Sequence, residues 1–149
     1  MHIRYHLSML SPIVVDTSVF ISALIGPNGP SREILRRCLQ QKYQPLMGNA
    51  LFLEYEAVSS RTKIVRECAL TTDEIEAIVA AFLNTSKWTS IYYTWRPNLT
   101  DEGDNHLIEL AIAGNARSIV TNNLKDFRNA ELLFPNLKIV KPEELLKES

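Results

Sequence analysis

The chain of 149 residues is short of the features that mark whole classes of protein. No apolar run reaches the ~18 residues that cross a bilayer, so a membrane-spanning helix is not expected. The opening stretch, Met1 to Leu10, mixes His2, Arg4, Tyr5 and His6 among apolar residues. It lacks the ~7–15-residue apolar centre of a secretory leader, which points to a cytoplasmic protein. There are two cysteines, Cys38 and Cys68, far apart and in helix-like surroundings. They read as buried or partly buried free thiols rather than as a disulfide or a metal pair. His2, His6 and His106 are isolated, without the spacing of a zinc site, and read as surface or cap residues. The net charge of −1 lacks the basic excess of many nucleic-acid binders. A local acidic cluster can nevertheless offset a basic rim in that sum. Repeats and low-complexity segments are absent.

What is present is an ordinary globular composition, 46% hydrophobic and 22% charged. The length suits one domain over residues 1–149, large enough to bury a core, with residues 1–10 as an N-terminal extension. Its focal stretch is Ile13-Val14-Val15-Asp16-Thr17-Ser18. Three apolar residues, all β-branched, lead directly into a carboxylate. This is the pattern of a central parallel strand covered on both faces. Ligands of such sheets sit outside the carboxyl ends of the strands, where Asp16 falls.

Strands and helices alternate along the rest of the chain. Gly26 to Pro30 is a dense turn cluster. Ser31 has the chemistry of an N-cap for a helix with Ile34, Leu35, Cys38 and Leu39 on one stripe. Arg32, Arg36 and Arg37 lie on its other face, as a solvated surface or as a phosphate-contacting rim. Tyr43 to Met47 reads as extended, with Pro45 limiting its pairing. A helix over Ala50–Ser60 follows, and another runs from Thr71 to about Leu83. Ile91-Tyr92-Tyr93 suggests a short aromatic strand. A helix opens at Thr100–Asp104 and closes at Gly114-Asn115. Ala116 to Val120 reads as a second buried parallel strand, Lys138 to Val140 as a last one, and a terminal helix follows with Pro142 in its first turn. This order predicts an α/β protein: three layers, α/β/α, around a mainly parallel sheet.

Carboxylates recur where an apolar core would not welcome them. On the Ala50–Ser60 helix, Leu51, Glu54, Tyr55 and Val58 share one face. Glu54 therefore either meets a partner inside or reaches from the stripe's edge to water or to Arg61, because burying it alone costs several kcal/mol. Asp104, Leu107, Ile108 and Ala111 repeat the same spacing. Asp101 and Asp104 could equally serve the helix start as N-cap and first-turn acid. Asp126 follows the second buried strand. Clustered carboxylates repel and resist ionisation, and a divalent cation removes that conflict. An all-oxygen set favours Mg²⁺ or Mn²⁺ over zinc. Metals held by acids in a cleft suit phosphodiester hydrolysis, because they bind phosphate oxygens and generate hydroxide.

The same residues resemble a known family. Ile13-Val14-Val15-Asp16-Thr17-Ser18-Val19-Phe20 is similar to the opening motif of PIN-domain ribonucleases. Gly26 to Pro30 and Ala50-Leu51-Phe52-Leu53-Glu54-Tyr55 resemble the next elements of the VapC-like toxin subgroup of toxin–antitoxin pairs. Asp101-Glu102-Gly103-Asp104-Asn105 resembles its third motif, and Ile119 to Phe127 its fourth. The resemblance implies a Mg²⁺- or Mn²⁺-dependent endoribonuclease acting on RNA. Asp16, Glu54, Asp104 and Asp126 would form the catalytic and metal-binding acidic centre, with Asp101 contributing to the metal. Thr17, Ser18, Thr121 and Asn123 would be polar support. Apart from the resemblance, Arg32, Arg36 and Arg37 on their helix face, with Lys125, are the candidate RNA contacts. The resemblance further implies a small antitoxin partner that blocks the site, and a homodimer. Two positions depart from the pattern. Ser18 stands where asparagine is commoner, and Asn123 stands where many relatives carry an acid, which leaves Asp126 to serve alone.

Two other α/β phosphate enzymes fail on specific positions. A haloacid-dehalogenase-type phosphatase needs a second Asp two residues after the first, where this chain has Ser18. A response-regulator receiver needs an early acidic pair, and none precedes Asp16. The alternative from another class is a PIN fold that binds RNA or protein without cleaving.

Overall fold

A computed structural model describes residues 11–26, 28–91, 105–127 and 134–148. Among these residues the order is β1 (Pro12–Val15), α1 (Thr17–Ile25), α2 (Pro30–Leu39), β2 (Gln44–Met47), α3 (Asn49–Ser59), α4 (Thr62–Glu67) and α5 (Thr72–Thr85). It continues with β3 (Lys87–Trp88), α6 (Asn105–Ala113), β4 (Ser118–Val120), a 3₁₀ turn (Leu124–Phe127), β5 (Lys138–Val140) and α7 (Pro142–Lys147). The expected extension 1–10, Tyr92 and Tyr93 of the expected aromatic strand, and the expected helix start with Asp101 and Asp104 lie outside the described residues. The strand found in the aromatic region is Lys87–Trp88, ahead of Ile91.

The five strands form one sheet in the order β3-β2-β1-β4-β5, and every pairing is parallel. All carboxyl ends therefore lie on one edge. β1 occupies the middle because Ile13, Val14 and Val15 are apolar on both sides, and all three are buried. From β1 the chain steps outward to β2 and β3, then returns across β1 to β4 and β5. The reversal creates a topological switch point between β1 and β4. Right-handed crossovers set α1–α5 and α6 on opposite faces of the sheet. Accordingly α6 packs on β1, β2 and β4.

Pro45 is tolerated inside the sheet because β2 divides its partners. Gln44 and Pro45 pair with β1, while Leu46 and Met47 pair with β3. One local expectation is corrected. The N-cap of α2 is Gly29, with Pro30 at the first helical position, and Ser31 lies inside the first turn, buried. Proline's fixed φ and missing N–H suit that first position, so the cap falls one residue earlier. The C-terminal end of α6 divides its labour between two residues. Asn115 takes the left-handed conformation (φ 54), while Gly114 packs so closely on Leu46 that a Cβ there would collide with it.

The core is continuous across both faces and is knit on one of them by an aromatic cluster. Phe20 of α1 meets Tyr55 of α3 edge-on at 4.9 Å between ring centroids, and Phe82 of α5 packs on both. Cys38 and Cys68 are free and buried. Among the described residues no helix is long and apolar enough to cross a membrane.

Candidate active site at the carboxyl edge of the sheet

β1 ends at Val15, and Asp16 occupies the N-cap position of α1. Its backbone N–H donates to the Val120 carbonyl at 3.0 Å, which carries the β1–β4 pairing one residue past the strand. Its backbone carbonyl accepts the Val19 N–H, but its side chain does not cap the helix. The carboxylate is held instead by two hydroxyls. Thr121 Oγ1 donates to Oδ2 at 2.7 Å, and Ser18 Oγ donates to the same oxygen at 2.9 Å. Asp16 is only 5% exposed, yet Oδ1 has no hydrogen-bond partner among the described residues. A buried carboxylate with one oxygen doubly held and the other uncommitted is oriented for a further ligand.

The hydroxyls are themselves fixed by the loop after β4. Ser18 Oγ accepts the Asn122 backbone N–H at 3.1 Å, and Thr121 Oγ1 accepts the Asn123 backbone N–H at 3.0 Å. The Asn122 side-chain amide donates to the Ser18 carbonyl and to Ser22 Oγ. β1–α1 and the loop following β4 are thus laced together at the switch point.

Glu54 reaches the same edge from α3. The helix is anchored by Tyr55, fully buried, whose hydroxyl donates to the Val15 carbonyl at 2.5 Å. Burial, and next the charge of Asp16, push the Tyr55 phenol well above its ordinary value, so it stays protonated and donates. The preceding residue, Glu54, is half-buried and accepts at both oxygens. Thr17 Oγ1 donates to Oε1 at 2.7 Å, and His106 Nε2 lies 2.9 Å from Oε2. The His106 bond is the main reason the Glu54 carboxyl falls below its usual value, with Thr17 adding to it against the opposing cost of burial. Arg61, an expected alternative partner, contributes only through its more distant charge.

His106 corrects the reading of the isolated histidines as surface or cap residues. It sits in the first turn of α6, largely buried, against the site glutamate. Its spacing from Glu54 in the chain carries no signal, because the two meet only when α3 and α6 pack. The sequence hint available was local: His106 immediately precedes the buried Leu107 and follows the acidic motif.

Thr17, Ser18, Asp16, Glu54 and Thr121 therefore come together, with Asn123 contributing its backbone. Asp126 and Lys125 stand on the 3₁₀ turn after β4, beside a cavity of about 340 Å³ that Asn122, Asn123, Leu124 and Lys141 also line. No hydrogen bond joins Asp126 to Asp16. Asp101 and Asp104 lie outside the described residues. The three arginines of α2 are engaged by the protein itself. Arg32 donates to the Ala23 and Leu24 carbonyls at the end of α1, while Arg36 and Arg37 both pair with Glu33.

The donor set fits a hard divalent cation. It is carboxylate oxygen, and Asp16 Oδ1 is free of hydrogen bonds among the described residues. Mg²⁺ commonly takes one or two carboxylates and completes its shell with water and substrate phosphate. Among the described residues no three His, Cys, Asp or Glu side chains form a group able to enclose a metal by themselves.

A parallel sheet carries an oriented aspartate at its switch point, and Thr17, the next residue, bonds a glutamate of the flanking helix. The chain belongs to the PIN domain family, whose sequence model matches residues 12–125. PIN domains are generally nucleases. The match takes in Asp16, Glu54, Asp101, Asp104 and Thr121 and stops one residue before Asp126. The chain is also similar to the uncharacterized protein MJ1680 of Methanocaldococcus jannaschii, at 29% identity over 150 residues, covering 91% of this chain and 90% of the relative. Neither likeness separates a toxin subgroup from the rest of the family.

Proposed function

We propose that the protein is a Mg²⁺- or Mn²⁺-dependent endoribonuclease that hydrolyses RNA phosphodiester bonds at the carboxyl edge of its sheet. The observation that carries this reading is Asp16, buried at the switch point with Oδ2 held by Thr121 and Ser18 and Oδ1 uncommitted. Asp16, Glu54, Asp104 and Asp126 form the acidic centre in this proposal, with Asp101 contributing. A bound cation would supply positive charge to the phosphate oxygens and lower the pKa of an attacking water. The chain's own part is orientation. Ser18 and Thr121 fix the Asp16 rotamer, and Thr17 and His106 fix that of Glu54. Hydrogen bonds donated to a carboxylate favour its charged form, and the bond from His106 is the main one that lowers the Glu54 carboxyl.

Motif likeness extends the proposal to a toxin of a toxin–antitoxin pair, acting in the cytoplasm, homodimeric and blocked by a small antitoxin. Expression in a host growing with and without candidate small partner proteins tests it; growth unaffected by an active nuclease counts against a toxin.

The primary test incubates purified protein with structured and single-stranded RNA in Mg²⁺, Mn²⁺ or excess chelator, beside Asp16→Asn. The amide keeps an oxygen for Ser18 and Thr121 but removes the charge, so the variant should fold and not cleave. Metal-dependent cleavage lost in the variant supports the nuclease. Absence of both cleavage and divalent-ion binding by calorimetry favours a non-cleaving PIN module, for which Asn123 in place of an acid is the specific hint.

A further inference from the structure

We infer that single-stranded RNA crosses the carboxyl edge of the sheet between two subsites, a base-stacking platform at Trp88 and a phosphate-binding cavity at Lys125 and Lys141. The inference rests on the nuclease reading and adds to it the path of the substrate and the two subsites that end it.

Strand register sets the geometry. Val15 is level with Val120, and Val120 with Val140. On the other side Met47 is level with Trp88, and the Ile13–Pro45 pairing carried two residues on brings Met47 level with Val15. Trp88 thus ends the row on β3, and Lys141, the residue after Val140, ends it beyond β5. Asp16 and Thr121 follow the middle strands. With neighbouring strands 4.7–4.9 Å apart, each end lies roughly 10 Å from the β1 position.

The two ends differ in chemistry. Trp88 is 50% exposed although large apolar side chains are normally covered, and it is backed by the Phe52 ring at 5.5 Å between centroids. Phe52 lies two residues before Glu54 on α3. Of the other large apolar side chains exposed among the described residues, Leu53 precedes Glu54 directly and Ile91 follows Trp88 by three residues. A backed, half-open aromatic next to an acidic centre offers a face to an unstacked base, which a duplex does not present. At the opposite end, the cavity of about 340 Å³ is walled by Lys125 and Lys141 together with Asn122 and Asn123. Neither lysine forms an ion pair or a side-chain hydrogen bond through its ammonium among the described residues. What sets these two apart from the other described cations is that both line one cavity at the carboxyl edge of the sheet. Two ammoniums against the single carboxylate of Asp126 leave this cavity a net positive lining, which suits a backbone phosphate.

Trp95→Phe leaves Trp88 as the sole tryptophan of the two. That protein is titrated in chelator with a single-stranded oligoribonucleotide and with an abasic strand of equal length, at several salt concentrations. The expected result is quenching of Trp88 by the normal strand and not by the abasic one. Trp88→Ala should weaken binding by at least about fivefold. Lys125→Ala and Lys141→Ala should each reduce the salt slope by roughly 0.7. An oligonucleotide that binds with Trp88 fluorescence unmoved, or with an unchanged slope in the lysine variants, overturns the path while leaving the nuclease reading in place. So does full cleavage by a variant that combines Trp88→Ala, Lys125→Ala and Lys141→Ala. Wild-type protein that neither binds RNA in chelator nor cleaves it with Mn²⁺ removes the nuclease reading, and the path falls with it.

Discussion

Thr121 and Asp16, 105 residues apart in the chain, are joined by a 2.7 Å hydrogen bond at the point where the sheet reverses its strand order. The bond ties the end of β4 to the end of β1, and Thr121 is fully buried. Its hydroxyl also accepts the Asn123 N–H, so one oxygen serves both the site acid and the loop beside it. Thr121→Val keeps the shape and removes both bonds. Leaving buried polar groups unpaired costs about 1–3 kcal/mol. The variant should lose that much in urea denaturation and lose cleavage as well, whereas Thr121→Ser should recover most of the activity.

The Glu54 carboxyl lies below its ordinary value of 4.5, chiefly through His106. A lowered folded-state pKa means that the unfolded chain binds the proton more readily. The contribution to stability is therefore complete above about pH 4.5 and is lost as pH falls through the lowered folded value. His106→Ala should shrink this acid-side loss, read as a flatter urea midpoint between pH 6 and pH 3 in chelator (roughly the carboxylate range). Coincident wild-type and variant profiles would remove His106 as the cause.

Burial pushes the Cys38 thiol up to about 12, so its nucleophilic thiolate is scarce at neutral pH. Cys68 is also buried, and its thiol donates to the Leu24 carbonyl at 3.2 Å. Both should resist a thiol reagent in the folded protein and react together on denaturation. Fast labelling of either one in native buffer would contradict this packing.

Gly114 is required by space rather than by backbone conformation, since Asn115 carries the positive φ. A methyl group at 114 would run into the Leu46 side chain on β2. Gly114→Ala should cost about 1–3 kcal/mol, the usual range for overpacking. Adding Leu46→Val should recover part of that loss, and thermal denaturation of the two variants measures it.

Much of this architecture was legible from local pattern. Ile13 to Val15 running into Asp16 announces a central strand with an acid at its end, because apolar continuity and strand ends are properties of neighbouring residues. The stripe Leu51, Glu54, Tyr55 and Val58 located Glu54 on the packed side of α3, but periodicity stops at the face. It left Glu54 between an inner partner and Arg61, and the answer, Thr17 with His106, came from the packing of α1, α3 and α6. The α2 cap misled for a related reason: serine favours N-caps, but proline one residue earlier set where the helix begins.

The sequence by itself determined an α/β chain with acids at strand ends and on inward helix faces, since burial and helical or strand period are written residue by residue. Only the tertiary structure decided that β2 lies within the sheet despite Pro45, that Thr121 joins Ser18 on one oxygen of Asp16, and that His106 holds Glu54. Those relationships depend on strand register and helix packing between segments dozens of residues apart. The long-range hydrogen bonds at 2.7–2.9 Å, from Thr17 and His106 to Glu54 and from Thr121 to Asp16, are made only once those segments have packed around β1.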